Sequence, residues 1–508
     1  MRTKNAIRNL IVAWGGQIVV LLGTFISRSI FVKVLPAEYL GVNGLFANIL
    51  SMLSMVDLGI GVSIAYYLYE PLAKRDEKKL SQLMNYYKKM YTTIGGIVFV
   101  LGISLTPFLD WFIKEETTIP NLEIIYILAV VNSAITYLGV YKSVLINADQ
   151  KNYITSFYYN LFRVAQLIVS IIVLVITKDY LVYYSVSIIE TIVYNITITY
   201  KANQLFPFLA KNKKEKIDNQ TKTMIRKNVV AMMCHKIRHI FINFTDNIVI
   251  SKFISIISVG LYSNYSIILM NLNKVVGQVF SAMTASIGNY NVSESDEKKE
   301  KLLYTIYFLD FAVYSFCSVC LFVLFNPFIK LWLGEDYLMS PMIVLILVIN
   351  NYLQGMRKVV LSFKDACGLF KQDRFNALLE ALLNLIISVV LAKYWGIVGV
   401  FIGTIASFVI TSFWVEPVVL FKYGFKSSLF KYFKIYILYF IETSACVAIA
   451  YYISTFIPDG ILGLILRLLV CGLVWGLSVL IFHSRSEEFK TLLSKVIKNK
   501  GKKKNETV

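Results

Sequence analysis

The sequence predicts an all-α polytopic membrane protein with about 14 transmembrane helices, arranged as two six-helix halves and a final pair. Three observations predict it. Hydrophobic residues make up 57% of the 508. Charged residues reach only 16%, against about 25% in soluble domains. The apolar residues fall into runs of about 20, the length that crosses a bilayer as helix. A chain this apolar has too little polar surface to cover a water-soluble core, which excludes an ordinary cytosolic enzyme.

In order, the apolar runs are Asn9–Val32, Val42–Leu68, Tyr91–Leu109, Leu122–Ile146, Ile154–Ile176, Leu181–Tyr200, Asn228–Ile250, Gly260–Ile287, Leu303–Phe325, Pro341–Val360, Ala377–Lys393, Ile397–Phe421, Ile435–Phe456 and Ile461–Phe482. The second and eighth are long enough to tilt or bend. The first follows a short basic start and runs past Val20 with no small-residue cleavage site, so it reads as a membrane helix rather than a signal peptide.

Orientation follows from charge. The formal net charge is +20, from 51 Lys and Arg against 31 Asp and Glu. With the N-terminus inside, 38 of the 51 basic residues fall in inner segments, 6 in outer ones and 7 within spans. That bias places both termini in the cytoplasm. It also removes the need for nucleic acid as the partner of so basic a chain.

The longest loop, 201–227, is a basic cytoplasmic linker and divides the chain. The expected organisation is 1–200 for the first six helices, 201–227 for the linker and 228–421 for the second six. Residues 422–483 hold the extra pair, and 484–508 form a basic, frayed cytoplasmic tail at the membrane surface. An internal echo supports the halves. GVNGLFANIL at 41–50 opens the second run and GLYSNYSIIL at 260–269 opens the eighth, at the same point of each half. Such placement fits a parallel repeat, as in many transporters.

Catalytic signatures are absent. The chain has no GxxxxGK[ST] loop, no GxSxG elbow and no HExxH. Cys317 and Cys320 have redox-like spacing but fall in an apolar helix and read as core. His235 and His239 could form a zinc pair by spacing, but Lys236 and Arg238 between them disfavour a metal. Neither a metal nor a cofactor is expected. Six cysteines without a paired framework argue against a disulfide-dependent secreted protein.

The residues that carry functional information are ionisable side chains inside spans. Each costs about 2.5–3.5 kcal/mol at the bilayer centre, so they face polar surroundings. The basic set is Arg28, Arg163, Lys236, Arg238 and Lys274. Lys142 and Arg467 complete the 7 within spans. Both halves carry basic residues in their early helices, so a cavity between them would be cationic and suited to an anion, with arginine matched to phosphate. Asp57, Glu190, Asp246 and Asp310 are candidate charge partners or binders of a coupling proton or Na⁺. Glu380, Glu416 and Glu442 lie nearer span ends and carry less weight. Interfacial belts account for most of the 33 Tyr and 34 Phe.

Several stretches resemble the Wzx-type polysaccharide flippases of bacteria. These are RSIFVKVLPAEYLGVNGLF at 28–46, DLGIGVSIAYYLYEPL at 57–72, DNIVIS at 246–251, VGLYSNY at 259–265 and SIGN at 286–289. The likeness spans most of the chain and marks the family rather than the glycan. The family belongs to a superfamily with the drug-extruding MATE transporters and the lipid II flippases. The resemblance implies two six-helix bundles around a central cavity, with the last pair outside them, working by alternating access. It implies a substrate of undecaprenyl-pyrophosphate-linked sugar, moved from the inner to the outer leaflet of the bacterial plasma membrane. Arg28 and Arg238 would then meet the pyrophosphate. Partners would be membrane lipids and glycan-assembly proteins such as a polymerase, and the products capsule, exopolysaccharide or another surface glycan. The alternatives are a MATE-like drug or cation exporter, which needs an acidic cavity, and a lipid II flippase. A glycan polymerase or ligase would need a large outer loop, and a membrane scaffold would not need so many intramembrane charges.

Overall fold

A computed structural model describes residues 2–54, 60–114, 119–211, 216–226, 245–293, 295–367, 369, 372–425 and 427–494. For 2–14, 60–66, 210–211, 278–286, 288–293, 296 and 374 it describes the backbone alone. The described residues are helical, with turns and no strand. Among them, nine helices are long and apolar enough to cross a membrane, or ten if one bent pair is a single span. The chain forms two compact units, Met1–Gly260 and Leu261–Val508.

In the first unit, α1 (Arg2–Val34) stops just before Pro36, and α2 (Ala37–Leu53) starts just after it. Proline cannot continue the first helix but is tolerated at the start of the next. The second predicted span is not one helix. α2 ends at Leu53, and the next described helix is α3 (Ile60–Lys74). α4 (Glu77–Ser104) begins well before its predicted start at Tyr91. Asp76 caps it by accepting from the Lys79 amide at 2.9 Å. It then bends by 41° into Thr106–Phe112, at Pro107. α5 (Leu122–Ala148), α6 (Asn152–Thr177) and α7 (Tyr180–Leu205) match predicted spans four to six.

One end of this unit is a packed core of Leu80, Leu83, Tyr87, Tyr91, Leu145, Ile198 and Phe206. The linker is partly ordered onto it. Residues 219–226 are helical and Ile225 is fully buried in the same core. Asp218 ties the linker to α4, accepting from Lys79 Nζ at 2.8 Å and from the Thr221 amide at 2.7 Å.

The echo seen in the sequence has a structural counterpart. α8 (Ile256–Ser293) starts against α2. A Cβ on Gly41 would stand 2.0 Å from the Ile256 carbonyl oxygen, and one on Gly260 would stand 2.6 Å from that of Ala37 and 3.0 Å from the Gly41 nitrogen. The first glycine of each echo therefore lies in the same backbone-to-backbone crossing, an approach that leaves no room for a side chain.

The second unit continues with α9 (Asp296–Leu333), α10 (Pro341–Met356), α11 (Lys358–Ala366), α12 (Arg374–Ile410), α13 (Ser412–Val419), α14 (Phe430–Ser454) and α15 (Ile461–His483). α12 is broken at Gly396, with φ 58° and ψ −139°. Its arms are antiparallel. Ser388 donates to the Val400 carbonyl at 3.0 Å and Asn384 to Thr404 at 3.0 Å. Farther from the turn, Asn376 donates to Ser412 at 2.7 Å. This hairpin matches predicted spans eleven and twelve. The expected frayed tail is corrected in part: 487–494 is helical, Phe489 and Leu492 pack on the unit's core, and Glu487 pairs with Lys301 at 2.7 Å. Their apolar side chains outweigh the surrounding charge.

Stripes of large apolar residues face outward. Ile18, Leu22 and Ile26 on α1, and Leu469, Leu473, Leu477 and Ile481 on α15, are each more than half exposed at four-residue spacing. Such stripes are stable only against lipid, and the chain is a multi-pass membrane protein.

Gly41→Ala should lower the thermal midpoint in detergent, because its Cβ meets backbone that cannot rotate away. Gly396→Ala should lower it by an amount corresponding to about 1–3 kcal/mol for a backbone region reserved for glycine. Gly96→Ala, with nothing within 4 Å, should leave it unchanged or raise it.

The Asp218 carboxyl is held below the ordinary carboxylate range, first by its bond from Lys79 and then by those from Thr221. A lowered carboxyl stabilises above its unfolded value, and that stabilisation is lost as pH falls through the folded one. Amide exchange in 216–226 should therefore be faster in Asp218→Asn than in the native chain at neutral pH. The two should converge as pH falls below the ordinary carboxylate range.

Candidate functional site

Three of the residues singled out from the sequence meet in the first unit. Arg28 is on α1, Arg163 on α6 and Glu190 on α7, all half-buried. The Arg28 and Arg163 charges both act on the Tyr183 hydroxyl, which is hydrogen-bonded to Ser27. Arg163 also lies within electrostatic reach of Glu190. Its Nη1 donates to Gln166 at 2.9 Å, and Gln166 in turn donates to Ser170 at 2.9 Å. Aromatic rings line the same helices. Phe31 stands edge-on to Tyr183 at 5.3 Å, and Tyr39 lies 4.9 Å from Tyr180, whose hydroxyl donates to Asn43. The arrangement brings two guanidinium groups within electrostatic reach of one tyrosine hydroxyl, with aromatic rings on neighbouring helices.

The other candidates divide. Asp57, Lys236 and Arg238 lie outside the described residues, as do His235 and His239. Asp246 is buried in helix 245–253. Lys274 is exposed on α8, whereas its neighbour Asn273 points into the second unit's polar network. Asp310 is fully buried on α9. Two further intramembrane cations have local structural explanations. Lys142 donates to Asn203 at 3.0 Å, and Arg467 donates to the Ile457 carbonyl at 2.7 Å and to Asp459 at 3.0 Å, closing the loop before α15. Cys320 packs with Val319, Cys446 and Cys471 in an apolar cluster. Among the described residues, no group of three His, Cys, Asp or Glu is placed to hold a metal.

The strongest charged cluster is one that the sequence reading underweighted. Arg357, at the end of the predicted run Pro341–Val360 where a basic segment begins, is buried between Glu380 on α12 and Glu416 on α13. Its Nε donates to Glu416 at 2.7 Å and its Nη2 at 2.8 Å. Nη1 and Nη2 reach Glu380 at 3.1 and 3.0 Å. The guanidinium also lies 5.0 Å from the Phe408 ring. Ser412 donates to Glu380, and Lys364 pairs with Asp373 and stands 3.9 Å from Glu416. Both glutamates are 1% exposed. Two acids near the ends of successive spans, with five basic residues in 357–374, are the available signal. What pairs with what depends on the Gly396 turn.

Arg357→Met should destabilise the protein by about 3–5 kcal/mol, because two buried carboxylates lose their counter-charge. Adding Glu380→Gln and Glu416→Gln to that variant should recover part of the loss in a denaturant or thermal titration. No recovery would show that shape, not charge, makes Arg357 matter.

No protein-family model matches the chain, and no curated protein matches it in sequence. Solved structures match it in fold. The lipid II flippase MurJ, in an inward closed conformation, superposes with a TM-score of 0.61 at 14% identity, over 94% of this chain and 99% of its own. An inward-facing multidrug-resistance MATE transporter of the MOP superfamily gives 0.59 at 14% identity, over 79% and 94%. The MATE transporter VcmN of Vibrio cholerae gives 0.55 at 14% identity, over 83% and 97%. At such identities the likeness is one of architecture: this chain has a fold similar to that of MOP-superfamily transporters.

Proposed function

We propose that this protein is a flippase that moves an undecaprenyl-pyrophosphate-linked oligosaccharide from the inner to the outer leaflet, for capsule, exopolysaccharide or another surface glycan. It belongs to the Wzx type on this reading, acts as a transporter rather than an enzyme, and resides in the bacterial plasma membrane. Its fourteen spans form two six-helix bundles around a central cationic cavity, plus a final pair, with both termini cytoplasmic. Glycan-assembly proteins, among them a polymerase, supply and take up the lipid-linked sugar.

The observation that carries the reading is the meeting of Arg28 and Arg163 beside Tyr183. A pyrophosphate entering a low-dielectric site loses its hydration and needs charge in return. Guanidinium groups supply it bidentately. Lys236, Arg238 and Lys274 would contribute from the later helices. The Tyr39, Tyr180 and Tyr183 rings offer faces on which sugars can stack. Alternating access then requires that the substrate favour the two conformations unequally at the two membrane faces. The fold shared with a lipid II flippase over 94% of the chain is consistent with a lipid-linked cargo.

A MATE-like exporter of organic cations is the second reading, favoured by the two MATE neighbours. It needs uncompensated acid in the binding region, whereas the half-buried Glu190 stands within reach of Arg163.

Reconstituted vesicles with a fluorescent prenyl-pyrophosphate glycan test the proposal. The native chain should move it across the bilayer. Arg28→Ala and Arg163→Ala should each reduce transport about ten- to a hundred-fold, the worth of one charge-assisted contact, and Arg28→Lys should retain part of it. Equal rates in all variants would remove the arginines from the site. Efflux of organic cations without glycan movement would favour the exporter.

A further inference from the structure

The second unit buries a carboxyl group that the proposed pyrophosphate site does not use. Asp310 is fully inaccessible on α9, and among the described residues no donor reaches either of its oxygens. One turn along, Tyr314 accepts a hydrogen bond from Lys358, the first residue of α11. Lys358 also donates to Asn273 Oδ1 on α8 at 3.2 Å, and its ammonium lies 5.0 Å from the Tyr314 ring. Tyr314 donates to the same Asn273 oxygen at 3.2 Å, and Asn273 passes the chain on to Asn351 of α10 at 2.7 Å. Lys358 is within electrostatic reach of Asp310 yet is engaged elsewhere.

We propose that Asp310 is a proton-binding site, and that its proton decides whether Lys358 clamps α8 to α11. A buried carboxyl with no donor is stable as the neutral acid; as an anion it needs a cation at contact. With the proton on Asp310, the Lys358 ammonium stays on Tyr314 and Asn273, the arrangement in this structure. When the proton leaves to solvent, the carboxylate draws Lys358 onto itself, and α8 loses its bond to α11. No covalent bond other than the acid O–H changes. A metal cation fits this place poorly, because it would meet the ammonium and needs several oxygen ligands.

Among the described residues, Asp310 is the only carboxyl of the titratable groups that face one another here. The others are Tyr314 and, through Lys358, Cys317 on its own helix, Tyr352 on α10, Lys358 on α11, and Tyr432 and Tyr436 on α14. The site rests on the transporter reading for its purpose, since a proton-operated clamp on a long helix is a means of coupling. Its proton binding does not depend on that reading.

The test uses the full chain in lipid vesicles. Infrared difference spectra across a pH titration should show a protonated-carboxyl stretch that titrates in the native protein and is lost in Asp310→Asn. Amide exchange around Asn273 should quicken as that band disappears. Asp310→Asn, which is isosteric and neutral, should hold this segment protected at every pH. Lys358→Gln should keep the band and lose the pH dependence of the exchange. A band unchanged in Asp310→Asn, or exchange that ignores pH in the native chain, would overturn the proposal. In a parallel glycan-transport assay under an imposed pH gradient, failure of transport in every protein, with the spectroscopic results as expected, would sink the flippase reading and leave the proton site standing.

Discussion

A guanidinium held by two carboxylates, in a medium that solvates neither sign, is the constraint on which the second unit depends. Arg357 can sit where it does only if Glu380 and Glu416 reach it together, and each glutamate can be buried only if Arg357 is there. Glu380 lies on the first arm of the α12 hairpin, and Glu416, 36 residues on, lies on α13 just beyond the second. The turn at Gly396 and the small polar contacts between the arms set the register that makes the pair possible. The end of α10 and the start of α11 must meet at the same point, because Arg357 lies between them. Beside this charge cluster the core is aromatic rather than aliphatic. Phe311 stacks on Tyr439 at 3.9 Å, and Tyr307 lies against Tyr432 and Tyr439. Rings with polar tips suit a region that must pack tightly and still tolerate nearby charge.

The first unit meets the same solvent differently. Its arginines are half-buried and spread over separate helices around Tyr183. They are not locked into a closed triad. That difference is physical as well as geometric. A cation saturated by two acids has little left to offer a ligand, whereas guanidinium groups with partial neutralisation can still attract an anion. The Arg357 cation, saturated by two carboxylates, holds the second unit together. Close backbone approach does for the first unit what charge pairing does for the second. At the crossing of Gly41 and Gly260 the absence of side chains lets two helices touch, a form of packing useful where lipid gives no hydrophobic reason for helices to associate.

Asp310 belongs to neither pattern. It is as deeply buried as Glu380 and Glu416, but its potential partner faces away to Tyr314 and Asn273. A group poised between two neighbours, rather than saturated by one, is what a switch requires.

What the sequence by itself determined was the solvent and the identity of the exceptional residues. Lipid follows from apolar runs of the right length. Arg28, Arg163, Glu190 and Asp310 stood out because charge inside an apolar run is rare. These are sums and exceptions along the chain, so a linear reading finds them. What only the tertiary structure decided was pairing. In the sequence Arg357 opens a basic segment at the end of a run, and Glu380 and Glu416 lie near span ends, so nothing links the three. The tail read as frayed because its charge hides Phe489 and Leu492. The energy of a buried charge depends on what stands within about 3 Å of it. That distance is fixed by where distant segments fold back, not by the residues on either side.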